Sequence, residues 1–295
     1  MLKRSIVISS PARIVLRNSQ LIIELKDNEG AKSSIPIEDL STLIIENQQV
    51  EVSIPALNAL TAENVGVVLC NSSHVPLTYL APLESNSLQG ERYRQQIEAS
   101  APVRKSAWRQ LIESKIENQS RLLLKLSKDG NILKPYYKNV KSDDSDNKEG
   151  TAARLYWREL FGTDFSRQRD GKAPNPLLNY GYSILRAATV RAIIGAGMLP
   201  AFGVHHRNRY NAFPLADDVM EPYRPYVDEV VFNLHKHGCS ELDKNAKAAL
   251  INVGYTDVVI DGTNHPLNIA ISITCTSLLK MMSGKSKTLR LPQFR

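Results

Sequence analysis

Four side chains that can bind a divalent cation lie in three short segments of the C-terminal half of the chain. Glu149 begins Glu-Gly-Thr-Ala-Ala-Arg-Leu-Tyr-Trp, and His205 ends Ala-Phe-Gly-Val-His. Asp218 and Glu221 lie in Ala-Asp-Asp-Val-Met-Glu-Pro. Carboxylate oxygens and an imidazole nitrogen can together form an open coordination site for a metal ion. Because the net charge of the chain is +7, this acidic grouping is a local exception.

Each of these residues also has an ordinary structural explanation. Asp146 and Glu149 have the spacing of a capping box, in which Glu149 returns a hydrogen bond to the start of its helix. Asp218 and Glu221 lie in the first turn of a predicted helix, where acids stabilise the helix dipole by up to about 1 kcal/mol. Their i, i+3 spacing also puts both carboxylates on one helix face, as a shared cation requires. His205 can simply line the polar loop before that helix.

Size and composition limit the class of protein. The 295 residues suffice for two domains or one large one, and the net charge of +7 predicts an anionic partner. The three cysteines are far apart and form no CxxC pair, which is typical of a reducing cytoplasm. The N-terminus lacks the pattern of a signal peptide, and no apolar stretch approaches the ~20 residues that span a bilayer. We therefore expect a soluble cytoplasmic protein that does not bind membranes.

Residues 1–82 are predicted to form a small β-rich domain. Short runs rich in Ile, Val and Leu recur at 5–9, 13–17, 21–26, 42–46 and 65–70, and residues 76–82 are predicted to form a last, edge-like extended segment. Turn residues at 27–30 separate two of them, and Ser53 followed by Ile54-Pro55 predicts a short helix to about Asn64. Since this region contains no cluster of titratable groups, we interpret it as a scaffold or dimerisation surface.

The rest of the chain is predicted to be helical. After a linker at 83–91, residues 92–295 are expected to form a larger, all-helical domain that carries the metal and DNA sites. Apolar residues recur there every three or four positions, which predicts helices at 104–127, 149–161, 176–198, 217–237, 241–251 and 266–282. The basic segment 285–290 is expected to be a mobile tail. The predicted fold class is α+β, with a small β-rich domain followed by a larger all-helical one.

The first long helix carries an excess of positive charge. Between Arg92 and Lys125 there are eight Lys or Arg residues and three Glu residues. Such a face is either solvated or in contact with the phosphates of a nucleic acid. Both interpretations stay open at this point.

Four segments occur in an order that resembles one protein family. They are Glu149-Gly-x-Ala-Ala-Arg-x-Tyr-Trp, Asn175-Pro-Leu-Leu-Asn-Tyr-Gly-Tyr, Gly203-Val-His205, and Asp217-Asp218-x-Met-Glu221-Pro-x-Arg224-Pro. Together they resemble the CRISPR-associated spacer-acquisition integrase, the universal adaptation endonuclease/integrase family. The resemblance covers the whole chain, including the β-then-α order. The doubled histidine at 205–206 and the loop at 211–216 look most like the branch that accompanies type II systems.

The resemblance implies a metal site. It assigns Glu149, His205 and Glu221 as catalytic ligands of Mg²⁺ or Mn²⁺, and Asp218 as an auxiliary ligand or as a residue that orients one. The long loop between His205 and Asp218 leaves open which of Asp217, Asp218 and Glu221 touches the metal.

The implied reaction is a transesterification in CRISPR adaptation, part of antiviral defence. The 3′-hydroxyl ends of short DNA fragments (spacers) are joined to CRISPR repeat DNA, and the metal stabilises charge on the phosphate oxygens and aligns the reacting groups. His206 is the alternative imidazole ligand to His205. His205 can also serve as a general base, because the usual pKa of histidine lies near neutrality.

The resemblance also implies partners. They are double-stranded DNA and a second universal CRISPR adaptation protein, whose dimer bridges two homodimers of this chain. Basic residues near the motifs are expected to contact DNA, namely Arg154, Arg167, Arg169, Arg207, Arg209 and Arg224. Two other functions stay open, a standalone metal-dependent nuclease on branched DNA and a non-enzymatic DNA-binding scaffold. Metal dependence separates the scaffold from the two enzymes.

Overall fold

A computed structural model describes residues 3–26, 31–72, 76–80, 82–84 and 86–295. The chain divides into two compact units, Met1–Ser87 and Leu88–Arg295. The division lies inside the predicted linker at 83–91.

The first unit contains two four-stranded sheets and one helix. Its elements are β1 (Arg4–Ile8), β2 (Ala12–Arg17), β3 (Gln20–Leu25), β4 (Lys32–Pro36), β5 (Leu40–Ile45), β6 (Glu51–Val52), α1 (Ile54–Ala62), β7 (Gly66–Cys70) and β8 (Pro76–Leu80). The first sheet has the order β1-β5-β7-β8, with β8 antiparallel to β7 and the other pairs parallel. The second has the order β4-β3-β2-β6, with β6 parallel to β2 and the other pairs antiparallel. The predicted β-rich region is confirmed.

Local sequence explains most of this unit. In β2, Ala12 and Ile14 are buried while Arg13 is exposed, which is the two-residue period of a strand with one face on a core. The central strand β5 is buried along its whole length, as expected between two parallel neighbours. Ser53 accepts a hydrogen bond from the backbone of Ala56 and begins α1 as predicted.

Two strands in the first unit are not predicted by the sequence. β4 reads Lys-Ser-Ser-Ile-Pro, is largely exposed, and pairs only with β3, so it lacks the apolar alternation of a strand over a core. β6 has only two residues. The predicted turn at 27–30 lies outside the described residues.

The second unit is mostly helical, as predicted, although the expectation that it is all-helical is wrong at one place. Its helices are α2 (Gln89–Glu98), α3 (Ala101–Lys125), α4 (Lys134–Tyr137), α5 (Lys148–Phe161), α6 (Asn175–Gly195), α7 (Pro214–Met220), α8 (Arg224–Lys236), α9 (Lys244–Asn252) and α10 (Leu267–Met282). A two-stranded antiparallel sheet, β9 (Asp257–Ile260) and β10 (Thr263–Pro266), interrupts them. Asp261 and Gly262 have positive φ between these strands, as an Asp-Gly hairpin turn requires.

No helix in the described ranges is long and apolar enough to cross a membrane.

The predicted single helix at 217–237 is wrong in the structure. It is replaced by α7, a short 3-10 turn over Glu221–Tyr223, and α8. Pro222 and Pro225 have no backbone N–H to donate, so an uninterrupted α-helical hydrogen-bond pattern cannot pass through them. Glu221 therefore lies at the junction of two helices and not on the face of one.

The expectation of a mobile basic tail is also wrong. Leu289 donates its backbone N–H to Oε1 of Gln110 at 2.8 Å, and Gln293 donates to the backbone oxygen of Val259 at 2.8 Å. Phe294 is only 2% exposed. The tail is held against α3 and β9 because these polar contacts and one buried aromatic ring outweigh its charge.

Helix α3 positions the candidate site. Its buried residues include Trp108, Leu111, Lys115, Asn118 and Leu122, at intervals of three and four. That spacing puts them on one stripe, which contacts α5, α8 and the turn between α7 and α8. Two of the five are polar, and both form hydrogen bonds to other elements of this unit.

Candidate active site

Three charged side chains from separate elements meet at one point of the second unit. Lys115 on α3 donates a hydrogen bond from Nζ to Oε1 of Glu149, near the start of α5, at 2.6 Å. The same Nζ lies 2.5 Å from Oε2 of Glu221, in the turn between α7 and α8. The side chains of Lys115 and Glu221 are 8% and 4% exposed. One buried ammonium group therefore joins the two predicted glutamates.

Burial and charge oppose each other in this cluster. Burial alone would raise the pKa of Glu221, but the neighbouring Arg224 and Lys115 cations outweigh it, and the pKa is lowered. Burial would lower the pKa of Lys115, but Glu221 and Glu149 outweigh that effect, and the pKa is raised. Arg224 donates from Nε to Oε1 of Glu221 at 2.9 Å. Glu221, Lys115 and Arg224 are therefore held in their charged forms.

Glu149 does not form the predicted capping box with Asp146. The N-cap of α5 is Asn147, whose side chain accepts a hydrogen bond from the backbone three residues later. The backbone N–H of Glu149 is bound by Oδ2 of Asp144 at 3.0 Å. Because other residues cap the helix, the carboxylate of Glu149 is available to pair with Lys115.

Asp218 binds the backbone of the histidine loop. Its Oδ2 accepts from Val204 N at 2.7 Å and from His205 N at 3.1 Å, and its Oδ1 accepts from His206 N at 3.2 Å. Three successive N–H groups thus surround one fully buried carboxylate. A Cβ atom at Gly203 would lie 2.8 Å from Oδ2 and 2.6 Å from the backbone oxygen of His206, so only glycine allows this close approach.

His206 is oriented by the same carboxylate. Its Nδ1 lies 2.6 Å from Oδ1 of Asp218, and because a carboxylate only accepts hydrogen bonds, Nδ1 carries the proton. This hydrogen bond raises the pKa of His206, and the charges of Glu221 and Glu149 act in the same direction. In metal-binding histidines, one ring nitrogen usually donates its proton to a carboxylate or a carbonyl, and the other binds the metal. His206 has this arrangement, with Nε2 as the nitrogen that could bind a metal.

His205 has different neighbours. Its ring stacks on Trp108, with centroids 4.2 Å apart and planes at 4°. Its Nδ1 lies 3.4 Å from Oδ1 of Asp143. Of the two rings, His206 makes the shorter contact with a carboxylate, 2.6 Å to Asp218 against 3.4 Å from His205 to Asp143. That His205 is a ligand stays a prediction.

Glu149, Glu221 and His206 carry the types of ligand atom that suit a small divalent cation. Among the described residues, no three His, Cys, Asp or Glu side chains are grouped so as to hold a metal as they stand. However, hard oxygens of Glu149 and Glu221 approach one point within 2.6 Å, and the imidazole of His206 is oriented nearby. Oxygen ligands with one imidazole suit Mg²⁺ or Mn²⁺. Such an ion would replace the ammonium of Lys115.

Comparisons with known proteins agree with this arrangement of elements. The family model described as "CRISPR associated protein Cas1" matches residues 6–252. The chain belongs to the CRISPR-associated Cas1 family. It is similar to the CRISPR-associated endonuclease Cas1 of Neisseria meningitidis serogroup C (strain 8013), at 32% identity over 98% of this chain and 96% of that protein.

Solved structures share the Cas1 fold along nearly the whole chain. A casposase bound to integration product covers 98% of this chain and 93% of its own, with a TM-score of 0.80 and 22% identity. A CAS1 protein from Thermotoga maritima covers 95% of this chain and 97% of its own, with a TM-score of 0.74 and 19% identity. A Cas6-RT-Cas1–Cas2 complex covers 98% of this chain and 36% of the matched chain, with a TM-score of 0.76 and 21% identity.

The six arginines predicted to contact DNA divide into two groups in this Cas1 protein. Four are exposed, namely Arg154, Arg169, Arg207 and Arg209. Arg167 instead donates to the side chains of Asn175 and Asn179, at 3.0 and 2.8 Å. Arg224 pairs with Glu221. These last two arginines position other residues of the unit, which limits their reach toward a separate ligand.

An open groove of about 470 Å³ lies beside His206. Arg104, Arg207 and Arg209 contribute to its lining, together with Phe202. The groove therefore combines positive charge with an exposed aromatic ring next to the candidate site. Of these arginines, Arg207 and Arg209 are among the predicted DNA contacts.

Lys115 belongs to the candidate site, and the sequence motifs miss it. In sequence it is one of eight basic residues between Arg92 and Lys125, all assigned to a solvated or phosphate-contacting face. One signal does single it out, because Lys115 follows Leu111 by four positions and Trp108 by seven. A lysine on an apolar stripe is buried only when paired, and this spacing predicts a buried partner of opposite charge.

Proposed function

We propose that this Cas1 family member is a metal-dependent DNA endonuclease/integrase of CRISPR adaptation. It joins the 3′-hydroxyl ends of short DNA fragments to CRISPR repeat DNA by transesterification. The observation that carries the proposal is the convergence of Glu149 and Glu221 on one buried cationic group, with an oriented imidazole in their field.

Glu149, Glu221 and Nε2 of His206 would hold the metal. When bound, a divalent cation neutralises charge on the phosphate oxygens and aligns nucleophile and leaving group. Asp218 has both oxygens engaged by the histidine loop, so its part is to fix the direction of the imidazole. Arg224 keeps Glu221 ionised and in place.

Basic residues at the edge of the site would bind the DNA backbone. Arg207 and Arg209 are exposed and line the groove beside His206, as does Arg104. Guanidinium groups pair with phosphate oxygens by two parallel hydrogen bonds. We expect these contacts to position a DNA end without reading its sequence.

The proposed assembly follows the named solved complex. One similar structure contains both Cas1 and Cas2, and the family resemblance implies a Cas2-like dimer between two homodimers of this chain. We propose that arrangement here, with double-stranded DNA as the substrate and the cytoplasm as the location.

Strand transfer tests the proposal directly. A fluorescent DNA duplex is incubated with the purified protein, its adaptation partner and a repeat-bearing plasmid, with Mg²⁺, Mn²⁺ or EDTA. Joined product is expected only with metal, and the double variant Glu149→Gln plus Glu221→Gln should lower it by about 100-fold or more, the cost typical of losing transition-state charge stabilisation. Gln keeps the volume of each side chain and one of its two oxygens, and it removes the negative charge.

A matched control is Glu229→Gln. Glu229 also pairs with a lysine of α3, Lys125, at 2.7 Å, and in the described part of the chain no ion pair or hydrogen bond joins it to Glu149 or Glu221. Its activity should equal that of the wild type. Full joining by the double variant contradicts the site, and free cleavage products without joined ones favour the standalone nuclease.

A further inference from the structure

The ammonium of Lys115 fills the space between the two proposed metal ligands. It lies 2.6 Å from Glu149 and 2.5 Å from Glu221. Arg224 contacts the other oxygen of Glu221 at 2.9 Å. Two carboxylates thus face two cations of the same chain, and their charges cancel without an ion from outside.

Each group in this cluster needs the others. Two carboxylates that approach one point repel each other unless a positive charge lies between them. An ammonium group that is 8% exposed likewise requires anionic partners, because removing it from water is costly. The metal-free site is therefore held together by Lys115.

A divalent cation and this ammonium compete for the same oxygens. Mg²⁺ takes carboxylate oxygens at about 2.0–2.1 Å, inside the shell that Nζ now occupies. Positive charges a few ångströms apart repel each other strongly where water is excluded. The long, flexible stem of a lysine allows its head group to move aside while the helix stays in place.

We propose that the Lys115 ammonium is a built-in counter-ion that occupies the position of the divalent cation in the metal-free protein and leaves it when the metal binds. This inference rests on the proposed function, because it takes Glu149 and Glu221 as metal ligands. It has two consequences. The ammonium preserves the site before the metal arrives, and it lowers metal affinity by competing for both carboxylates.

Calorimetric titration with Mn²⁺ tests the competition. The full chain is compared with Lys115→Gln and with Lys125→Gln, whose ammonium lies on the same helix but pairs with Glu229 and is 46% exposed. Lys115→Gln should bind Mn²⁺ about tenfold more tightly than the wild type, a usual size for coupling between charged sites. Lys125→Gln should leave the affinity unchanged. Equal or weaker affinity of Lys115→Gln overturns the proposal.

Thermal unfolding of the same proteins gives an independent measure. Without metal, Lys115→Gln should unfold at a lower temperature than the wild type, because two carboxylates lose their counter-ion. Mn²⁺ should raise its unfolding temperature more than that of the wild type. An equal rise in both proteins contradicts the exchange of one cation for another.

A third experiment uses the wild-type chain, so that the proposal can be tested even when Lys115→Gln does not fold. Surface lysines are acetylated with and without saturating Mn²⁺, and the peptides are analysed by mass spectrometry. Lys115 should be protected in the metal-free protein and become reactive with Mn²⁺, whereas Lys125 reacts equally in both. Continued protection of Lys115 at saturating Mn²⁺ overturns the proposal.

The outcomes separate this inference from the proposed function. If neither wild type nor Lys115→Gln binds Mn²⁺, the metal site itself is wrong and both proposals fall. If the wild type binds Mn²⁺ and joins DNA while Lys115 neither competes nor becomes reactive, only the counter-ion role is overturned.

Discussion

Replacing Asp218 with asparagine should destabilise the fold and misdirect the proposed imidazole ligand. The carboxylate accepts from three backbone N–H groups and from Nδ1 of His206. In Asp218→Asn, one of the two oxygens becomes an NH₂ group, which faces two N–H donors and leaves them without an acceptor. Each unsatisfied buried donor costs about 1–3 kcal/mol, so the free energy of unfolding should fall by about 2–6 kcal/mol.

The neighbouring acid provides the control. Asp217 accepts from Arg186 at 2.8 and 3.1 Å and from the side-chain amide of Asn211 at 2.6 Å, and its side chain is 21% exposed. Because these groups are partly open to water, which can replace a lost partner, Asp217→Asn should cost less stability than Asp218→Asn. Guanidinium titrations followed by circular dichroism measure both variants against the wild type.

The second readout is metal affinity. Loss of the carboxylate partner of a histidine ligand typically lowers metal affinity about 10- to 100-fold. Mn²⁺ calorimetry on Asp218→Asn, under conditions where it remains folded, should show that loss, whereas Asp217→Asn should not. If Asp218→Asn is as stable as Asp217→Asn and binds Mn²⁺ as the wild type does, then Asp218 neither stabilises the histidine loop nor orients a metal ligand.

Two further predictions concern buried polar groups behind the site. Asp228 accepts hydrogen bonds from the hydroxyls of Tyr156 and Tyr182, and burial raises its pKa from 3.8 to about 6. Because the pKa is higher in the folded state, the stability that this group contributes is present below about pH 4 and is lost as the pH rises through 6. Relative to Asp228→Asn, the free energy of unfolding of the wild type should fall by about 2–3 kcal/mol between about pH 4 and pH 7. Urea titrations that give the same difference in unfolding free energy between the two proteins at every pH would refute this. Asn118 binds the backbone oxygen of Pro222 and two backbone groups of the tail. Asn118→Leu should cost about 2–5 kcal/mol and speed amide exchange in residues 289–295, and unchanged exchange contradicts that role.

Elements with strong local signals were predictable from the sequence. Ser53 and the proline after it mark the start of α1, and alternating apolar residues mark β2. β4 was not predicted because it is an exposed edge strand that begins Lys-Ser-Ser and has no alternating apolar residues. The order of a β-rich region followed by helices was predictable from the change in apolar period along the chain, and it agrees with the fold of the CAS1 protein from Thermotoga maritima.

The meeting of Glu149 and Glu221 was predictable from the sequence, but their shared contact with Lys115 was not. Glu149 and Glu221 carried recognisable motifs, whereas the importance of Lys115 depends on packing between distant segments. The choice between His205 and His206 depends on a loop that is held by hydrogen bonds to Asp218 and that brings both rings against Trp108. Those are tertiary contacts, which a linear pattern does not contain.

The spacing of residues along helix α3 determines which of its side chains face the candidate site. Trp108, which stacks on one histidine, Lys115, which joins the glutamates, and Asn118, which fixes the tail, lie on a single stripe. Each residue advances a helix by about 100°, so one residue inserted between Trp108 and Lys115 would turn the ammonium away from both carboxylates without altering helix propensity. The exposed positions of α3 tolerate a change of residue type, but the number of residues along this stripe is not free to vary.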